Sequence, residues 1–336
     1  MASEPLKTLF HPFEAEALPL PRKDARVLFL GAEPGFRLPD GFEAALHLVQ
    51  GFRPLFRVLY SAGYTVTPQA EGSAFDASLI LAGRHRGQNE LRIADAIERV
   101  VPGGLIVVAG GKDDGIDSLR KRIDALAPLD AYLPKHHGVA FWFRQGGLNA
   151  ARALRAANPD LVVEGRFRTA PGMFSFDRVD AGSKLLLDSL PQGLAGNVAD
   201  FCAGWGYLAA QVADRSTGLS GLDLYEADFE ALEAANVNLR PAAVEPRFFW
   251  TDLLTEAVER RYDAIVMNPP FHSGRAAEPG IGAGMIRAAS KALKPGGRLF
   301  MVANRQLPYE QVLAGAFSSH AEIARDGMFK VFSARR

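Results

Sequence analysis

The feature that most narrows the fold is an internal repeat whose two copies agree in their apolar residues and disagree in their polar ones. At an offset of 193, Pro102-Gly103-Gly104-Leu105-Ile106-Val107-Val108 lies over Pro295-Gly296-Gly297-Arg298-Leu299-Phe300-Met301. Both stretches read as a helix stop followed by a buried strand. Phe75-Asp76-Ala77 matches Tyr262-Asp263-Ala264 in the same way. At an offset of 171, Val27 to Gly35 lies over Val198 to Gly206, which sets Phe29 against Asp200 and Glu33 against Gly204. A fold needs the shared apolar positions and a ligand needs the polar ones, so the pattern describes a duplicated domain whose first copy has lost its site. The 336 residues leave room for two domains of ordinary size. Interruptions at Gly146-Gly147 and Asn158-Pro159 divide the chain into 1–157 and 158–336.

The second half alternates short apolar runs with helical patterns, as in a doubly wound α/β sheet. Strands are expected at 197–202, 219–225, 247–250, 263–268, 298–303, 321–326 and 329–333, and helices at 228–239 and 281–293, the latter stopped by Pro295-Gly296-Gly297. Only Gly327-Met328 separates the last two strands, too little for a parallel crossover. The fold class is therefore α/β, two tandem Rossmann-like domains with mostly parallel sheets, each ending in an antiparallel hairpin.

Basic and acidic residues balance at 38 each, so no overall basic field announces a nucleic-acid partner. Residues 285–336 are the local exception, with nine basic and three acidic side chains. They are either phosphate contacts or the solvated face of a terminal helix and strand. A single cysteine, Cys202, excludes an intrachain disulfide and points to a reducing compartment. The chain has no apolar run of membrane-spanning length and no basic-then-apolar leader, so a cytoplasmic location with no membrane partner is expected.

Chemistry concentrates at the expected strand ends. Asp200-Phe201-Cys202-Ala203-Gly204-Trp205-Gly206 sits where a strand turns into a helix, and its small residues let a cofactor approach the backbone. Asp200 can accept from an amino group, which suits the α-ammonium of S-adenosylmethionine better than a pyrophosphate. Ala209 stands where a dinucleotide loop wants a third glycine. Glu226, 26 residues after Asp200, ends the next strand near the spacing of about 20 at which a carboxylate meets ribose hydroxyls. Asp252 follows a third strand and can accept from an adenine amino group. Singly each carboxylate reads as a cap or a surface charge; together they mark the ligand edge of an open sheet.

Asn268-Pro269-Pro270-Phe271 is the sharpest signal. Two prolines after a strand fix an extended corner that cannot continue the ladder. That corner can aim the Asn268 amide oxygen and the Pro269 carbonyl at one exocyclic amine, whose lone pair then turns out of conjugation toward an electrophilic methyl. Phe271 offers a stacking face for an extruded base.

These stretches resemble the RsmC/RlmG family of ribosomal RNA guanine-N2 methyltransferases, which are class I S-adenosylmethionine enzymes. The likeness rests on Asn268-Pro269-Pro270-Phe271-His272, on Phe174-Ser175 through Asp180-Ala181-Gly182-Ser183-Lys184-Leu185-Leu186-Leu187, on Ala303-Asn304 with Leu307-Pro308-Tyr309, and on Phe329-Lys330-Val331. It is strong over 169–336 and looser before, where that family also carries a degenerate copy of the fold. The resemblance implies two class I methyltransferase domains, the first supporting the second or binding RNA. It implies that S-adenosylmethionine is held by Asp200, Cys202, Ala203, Gly204, Gly206, Glu226, Asp252 and Asn268, and that 268–271 hold the N2 amine of a guanine. The partner would be ribosomal RNA, small subunit favoured, or an assembling subunit. The family's first loop glycine is Cys202 here, and weaker or shifted cofactor binding is expected from its side chain.

Other residues carry less. His272 serves equally as a base or as a loop-orienting group, and Trp205 as a stacking ring or as packing. His136-His137 lack companion ligands and read as loop residues, so no metal is expected. A monomer is the default. The rival readings are methylation of adenine N6 or a protein glutamine, a nicotinamide oxidoreductase, and a non-catalytic RNA-binding protein.

Overall fold

The computed structural model describes residues 3–239, 244–270, 272–273, 276–277 and 279–336. It divides into two compact units, Met1–Asp160 with Ala170–Gly172, and Leu161–Thr169 with Met173–Arg336. The first unit runs α1 (Glu4–Glu14), β1 (Arg26–Leu30), β2 (Ala45–Val49), α2 (Arg53–Ser61), β3 (Val66–Thr67), β4 (Phe75–Leu81), α3 (Arg86–Arg99), β5 (Val100–Gly111), α4 (Ile116–Asp124), β6 (Ala131–Lys135), β7 (Gly138–Arg144) and α5 (Asn149–Ala157). A short antiparallel pair, β8 (Leu161–Val163) and β9 (Phe167–Thr169), opens the second. There follow α6 (Ala181–Ser189), β10 (Ala195–Phe201), α7 (Tyr207–Arg215), β11 (Gly218–Glu226), α8 (Phe229–Asn238), β12 (Pro246–Trp250), β13 (Tyr262–Met267), the two-residue strands β14 (His272–Ser273) and β15 (Ala276–Ala277), α9 (Pro279–Ala292), β16 (Leu293–Asn304), α10 (Glu310–Ala316), β17 (Ser319–Arg325) and β18 (Phe329–Arg335).

The seven-stranded sheets are β3-β2-β1-β4-β5-β7-β6 and β12-β11-β10-β13-β16-β18-β17, one strand order realised twice. In each, five strands are parallel and the last two join antiparallel, as the repeat and the short Gly327-Met328 connection require. Register aligns the copies residue by residue. Leu30 pairs with Val49 and Ile80, and Phe201 pairs with Tyr225 and Met267. Gln50 thus occupies the place of Glu226, and Leu81 that of Asn268. Even a polar detail repeats: the amide of Arg26 donates to Asp76 Oδ2 and that of Asn197 to Asp263 Oδ2, both at 2.8 Å.

One expectation is revised in both copies. The Pro-Gly-Gly stretches do not stop the helices, which end earlier, at Arg99 and Ala292. Val100 and Leu293 already pair with Phe75 and Tyr262, and the ladder resumes only at Leu105 and Arg298. Pro-Gly-Gly forms the bulge between, where a proline's missing donor costs nothing. Gly103 and Gly296 take φ of 79° and 78°, which a side chain would strain.

The middle of the second sheet is buried on both faces, with Val198, Ile265, Val266, Met301 and Val302 all inaccessible. Acidic residues also lie in that interior. Asp223, fully buried in β11, accepts from Arg247 Nε at 2.7 Å and from the Tyr262 hydroxyl at 2.7 Å, while the Tyr225 and Tyr262 hydroxyls lie 2.7 Å apart. This network ties β11 to the edge strand β12 and to the start of β13. Asp223→Ala leaves one buried tyrosine hydroxyl without an acceptor, whereas the half-exposed Arg247 regains water. Chemical unfolding of the second unit should therefore show a loss of about 1–3 kcal/mol.

Candidate active site

The turn after β10 is built from backbone that only small residues tolerate. Cys202, Gly204 and Gly206 have φ of 60°, 53° and 87°, so Cys202 adopts the left-handed region that a glycine would occupy without cost. Its side chain packs among the apolar residues beneath α9, with Sγ 3.9 Å from Met285 Sδ. Burial, then Glu226 and Asp200, push its thiol pKa well up, so it is a packing group and a poor nucleophile. A Cβ on Gly206 would meet Leu239 at 2.7 Å, so α8 closes against that position; a Cβ on Gly204 would meet nothing within 4 Å, so the loop is open there. Ala203 is anchored by its amide donating to the Tyr225 carbonyl at 3.1 Å. Trp205 is 4% exposed, donates from Nε1 to the Phe174 carbonyl at 2.9 Å, and packs against Phe167 and Tyr207. It holds the loop's shape and offers no open stacking face.

Asp200 is wholly buried. Its Oδ2 accepts from the Ala209 amide in the first turn of α7 at 2.9 Å, while Oδ1 has no partner among the described residues. Burial raises its pKa well above the ordinary range against the pull of that amide, and Glu226 adds to the rise. A buried carboxylate oxygen without a donor is costly, and a cationic ligand at this loop would satisfy it. Glu226 differs in accepting three amides: Oε2 accepts from Gly204 and Oε1 from Ala227 and Asp228, each at 2.8 Å, which leaves Oε2 room for a further donor. Burial nevertheless pushes its pKa up to about 7. Asp252 is used locally, Oδ1 accepting from the Leu254 amide at 3.0 Å and Oδ2 from the Thr255 hydroxyl at 2.5 Å, so it caps a turn.

Asn268 follows β13 directly, and Pro269 beside it is buried while Pro270 is exposed. Its Nδ2 donates to Asp180 Oδ2 at 3.0 Å and to Ser183 Oγ at 2.8 Å. A carboxylate only accepts, so this partner settles which end of the carboxamide is nitrogen, and Oδ1 is left as the acceptor toward the sheet edge. Asp180 and Ser183 are residues that sequence reasoning placed only in a lead-in segment. The Asp180-x-x-Ser183 spacing before an apolar run does announce a helix start, and Asp180 is the N-cap of α6, accepting from the Ser183 amide at 2.8 Å. Nothing in the sequence connects that cap to an asparagine 88 residues on. Phe271 lies outside the described residues; of His272 the structure gives the backbone, in β14.

Asp200, Glu226 and Asn268 thus stand at or just beyond the ends of three adjacent parallel strands, β10, β11 and β13. The order reverses direction between β10 and β13, which is the switch point at which open α/β sheets bind ligands. The equivalent crevice of the first unit is filled by the protein itself. Gln50 donates to the Ala32 carbonyl at 2.7 Å and accepts from the Phe52 amide at 2.8 Å. Arg92, at the position of Met285, donates to the Leu81 carbonyl at 3.1 Å, and a Cβ on Gly31 would lie 2.7 Å from its Nη1. Glu33 stands where Gly204 does, its pKa raised by burial. Neither the apolar Phe29 nor this packed crevice suits an ammonium group.

Among the described residues no group of three or more His, Cys, Asp or Glu side chains is arranged to hold a metal ion, and no helix is long and apolar enough to cross a membrane. Compared with known proteins, residues 164–333 match the model of the methyltransferase small domain family. Ribosomal RNA small subunit methyltransferase C of Pectobacterium atrosepticum is 31% identical over 320 residues, covering 92% of this chain and 90% of that protein. The protein of that name from Photorhabdus laumondii is 36% identical over 238 residues, 70% of each chain. Among solved structures, the T. thermophilus 16S rRNA N2 methyltransferase RsmC, in complex with AdoMet and guanosine, aligns with a TM-score of 0.79 and 24% identity over 99% of this chain and 91% of that one. Its likeness bears on the fold, which is the same tandem arrangement, whereas the sequence relatives bear on descent. The chain therefore belongs to the ribosomal RNA small subunit methyltransferase C family, with its methyltransferase small domain in the second unit.

Proposed function

We propose that this chain transfers a methyl group from S-adenosylmethionine to the exocyclic N2 amine of a guanine in small-subunit ribosomal RNA, free or in an assembling particle, in the cytoplasm. The observation that carries the reading is the convergence of Asp200, Glu226 and Asn268 at one switch point, with a buried Asp200 oxygen that has no partner among the described residues. The residues fit the cofactor. Asp200 Oδ1 receives the α-ammonium, Glu226 the ribose hydroxyls through lone pairs its amides leave over, and the open backbone at Gly204 allows close approach. Asp252, Cys202, Ala203 and Gly206 complete the pocket, Asp252 accepting from the adenine amine through a lone pair that its own turn leaves over. The bound cofactor supplies an electrophilic sulfonium methyl.

The chain's own work is positioning. Asn268 Oδ1 and the Pro269 carbonyl accept the two N–H groups of the amine, so its lone pair leaves the plane of the ring and lines up with the methyl carbon. The rigid Pro269-Pro270 corner fixes that direction, and Phe271 stacks on the extruded base. As the N–C bond forms, the C–S bond breaks; the surplus proton of the methylated amine passes to water, since neither acceptor is basic enough to hold it. The first unit performs no transfer and serves as an RNA-binding or supporting module. Incubating the protein with small-subunit ribosomal RNA and methyl-labelled cofactor, then resolving nucleosides by mass spectrometry, tests the reading. N2-methylguanosine supports it, and label in N6-methyladenosine, in protein or nowhere overturns it.

Three outcomes are expected. Asn268→Ala should lower turnover by at least a hundredfold while the Kd for S-adenosylhomocysteine changes less than about threefold. Calorimetric titration should find one cofactor site per chain, because Phe29, Glu33, Gln50 and Arg92 fill the crevice of the first unit. The third concerns pH. Glu226 and Asp200 have raised pKa values, so in the free protein lowering the pH through about 7 protonates Glu226 and weakens it as an acceptor. Affinity for S-adenosylhomocysteine should be highest above pH 7 and fall by up to about tenfold per unit below it. Stability runs the other way, being fullest below the ordinary carboxyl pKa and partly lost as pH rises through 7. Glu226→Gln should weaken binding and flatten its pH profile.

A further inference from the structure

We propose that Asp180 and Ser183 are positioning residues for the target amine, setting the orientation of Asn268 from the first turn of α6; this rests on the reading that Asn268 holds that amine. A carboxamide presents two ends of nearly equal shape and opposite hydrogen-bonding sense. Turned the wrong way, Asn268 would offer N–H to an amine that is itself a donor, and the amine's lone pair would be drawn to the enzyme rather than to the methyl group. Strand β13 and its proline corner fix where the side chain starts, not which end of it leads.

The orientation is fixed from outside the corner. Asp180 Oδ2 takes one N–H of Asn268 at 3.0 Å and Ser183 Oγ the other at 2.8 Å, so both donors are consumed. The same Asp180 oxygen accepts the Ser183 amide at 2.8 Å, which makes the two acceptors a single braced unit. That unit is itself held: a Cβ on Gly182 would lie 3.1 Å from the Phe329 ring, so the first turn of α6 presses on the start of β18. The charge matters as well as the geometry. A carboxylate bound to the NH2 group polarises the amide and strengthens Oδ1 as an acceptor.

The helix-capping and positioning roles of Asp180 can be separated. Serine caps a helix about as well as aspartate, yet is too short to reach Asn268, so Asp180→Ser keeps the first task and drops the second. Its kcat with ribosomal RNA should fall between about tenfold and a hundredfold. The RNA KM, the Kd for S-adenosylhomocysteine and the melting temperature should stay close to wild type. Asp180→Asn, which keeps an acceptor of the same reach, should restore most of the turnover. Ser183→Ala should cause a smaller loss. In an Asn268→Ala background, followed by single-turnover transfer of tritiated methyl, neither Asp180→Ser nor Ser183→Ala should lower the rate further.

Equal fold-losses in both backgrounds would overturn the proposal, since the residues would then act independently of Asn268. Wild-type turnover in Asp180→Ser, with Asn268→Ala impaired, would overturn it while sparing the assigned mechanism. Wild-type turnover in Asn268→Ala itself would remove the mechanism, and the proposal with it.

Discussion

The site depends on Glu226 accepting three backbone amides at once. Gly204 comes from the turn after β10, and Ala227 with Asp228 from the turn after β11, so one carboxylate clamps two loops at the edge of the sheet. Parallel strands leave such loops without a shared ladder, and a side chain must supply what the backbone cannot. The donors hold a buried charge in place, and burial still lifts its pKa to about 7, so the group that shapes the pocket is itself only marginally ionised near neutrality.

The first unit shows what the fold keeps when that clamp is lost. Its sheet has the same order, its fifth strand the same Pro-Gly-Gly bulge, and its first strand the same amide bond to an aspartate. Gln50 replaces Glu226 and holds its loop as one donor and one acceptor, without charge. Strand order, bulge and core are therefore independent of the ligand chemistry, which resides in a handful of side chains on the strand ends.

That division also explains how much could be read in advance. The tandem sheets and the closing hairpins were legible because buried strands leave unmistakable apolar runs and because each half could be compared with the other. The places of Asp200, Glu226 and Asn268 at neighbouring strand ends were legible because each closes an apolar run. Asp180 and Ser183 were not, since their significance lies in a contact with a distant strand end. The misplaced helix stops have a local cause. Pro-Gly-Gly breaks a helix or bulges a strand equally well, and the pairing of Val100 and Leu293 with neighbouring strands decides between them. Asp252 lies at the strand end that the sequence marks, and its two oxygens also accept within its own turn, a local use that the sequence does not announce.

The filled crevice of the first unit is closed by several side chains at once. Arg92 is wedged against both the Gly31 turn and the Leu81 carbonyl, and Glu33 is buried within reach of its charge. Without the arginine, Gln50 would still bond across the turn and Glu33 would still accept from the Ser3 hydroxyl, while an acid at the wholly buried Phe29 would have no water around it. No single substitution therefore clears the crevice, because side chains from several turns hold it closed together.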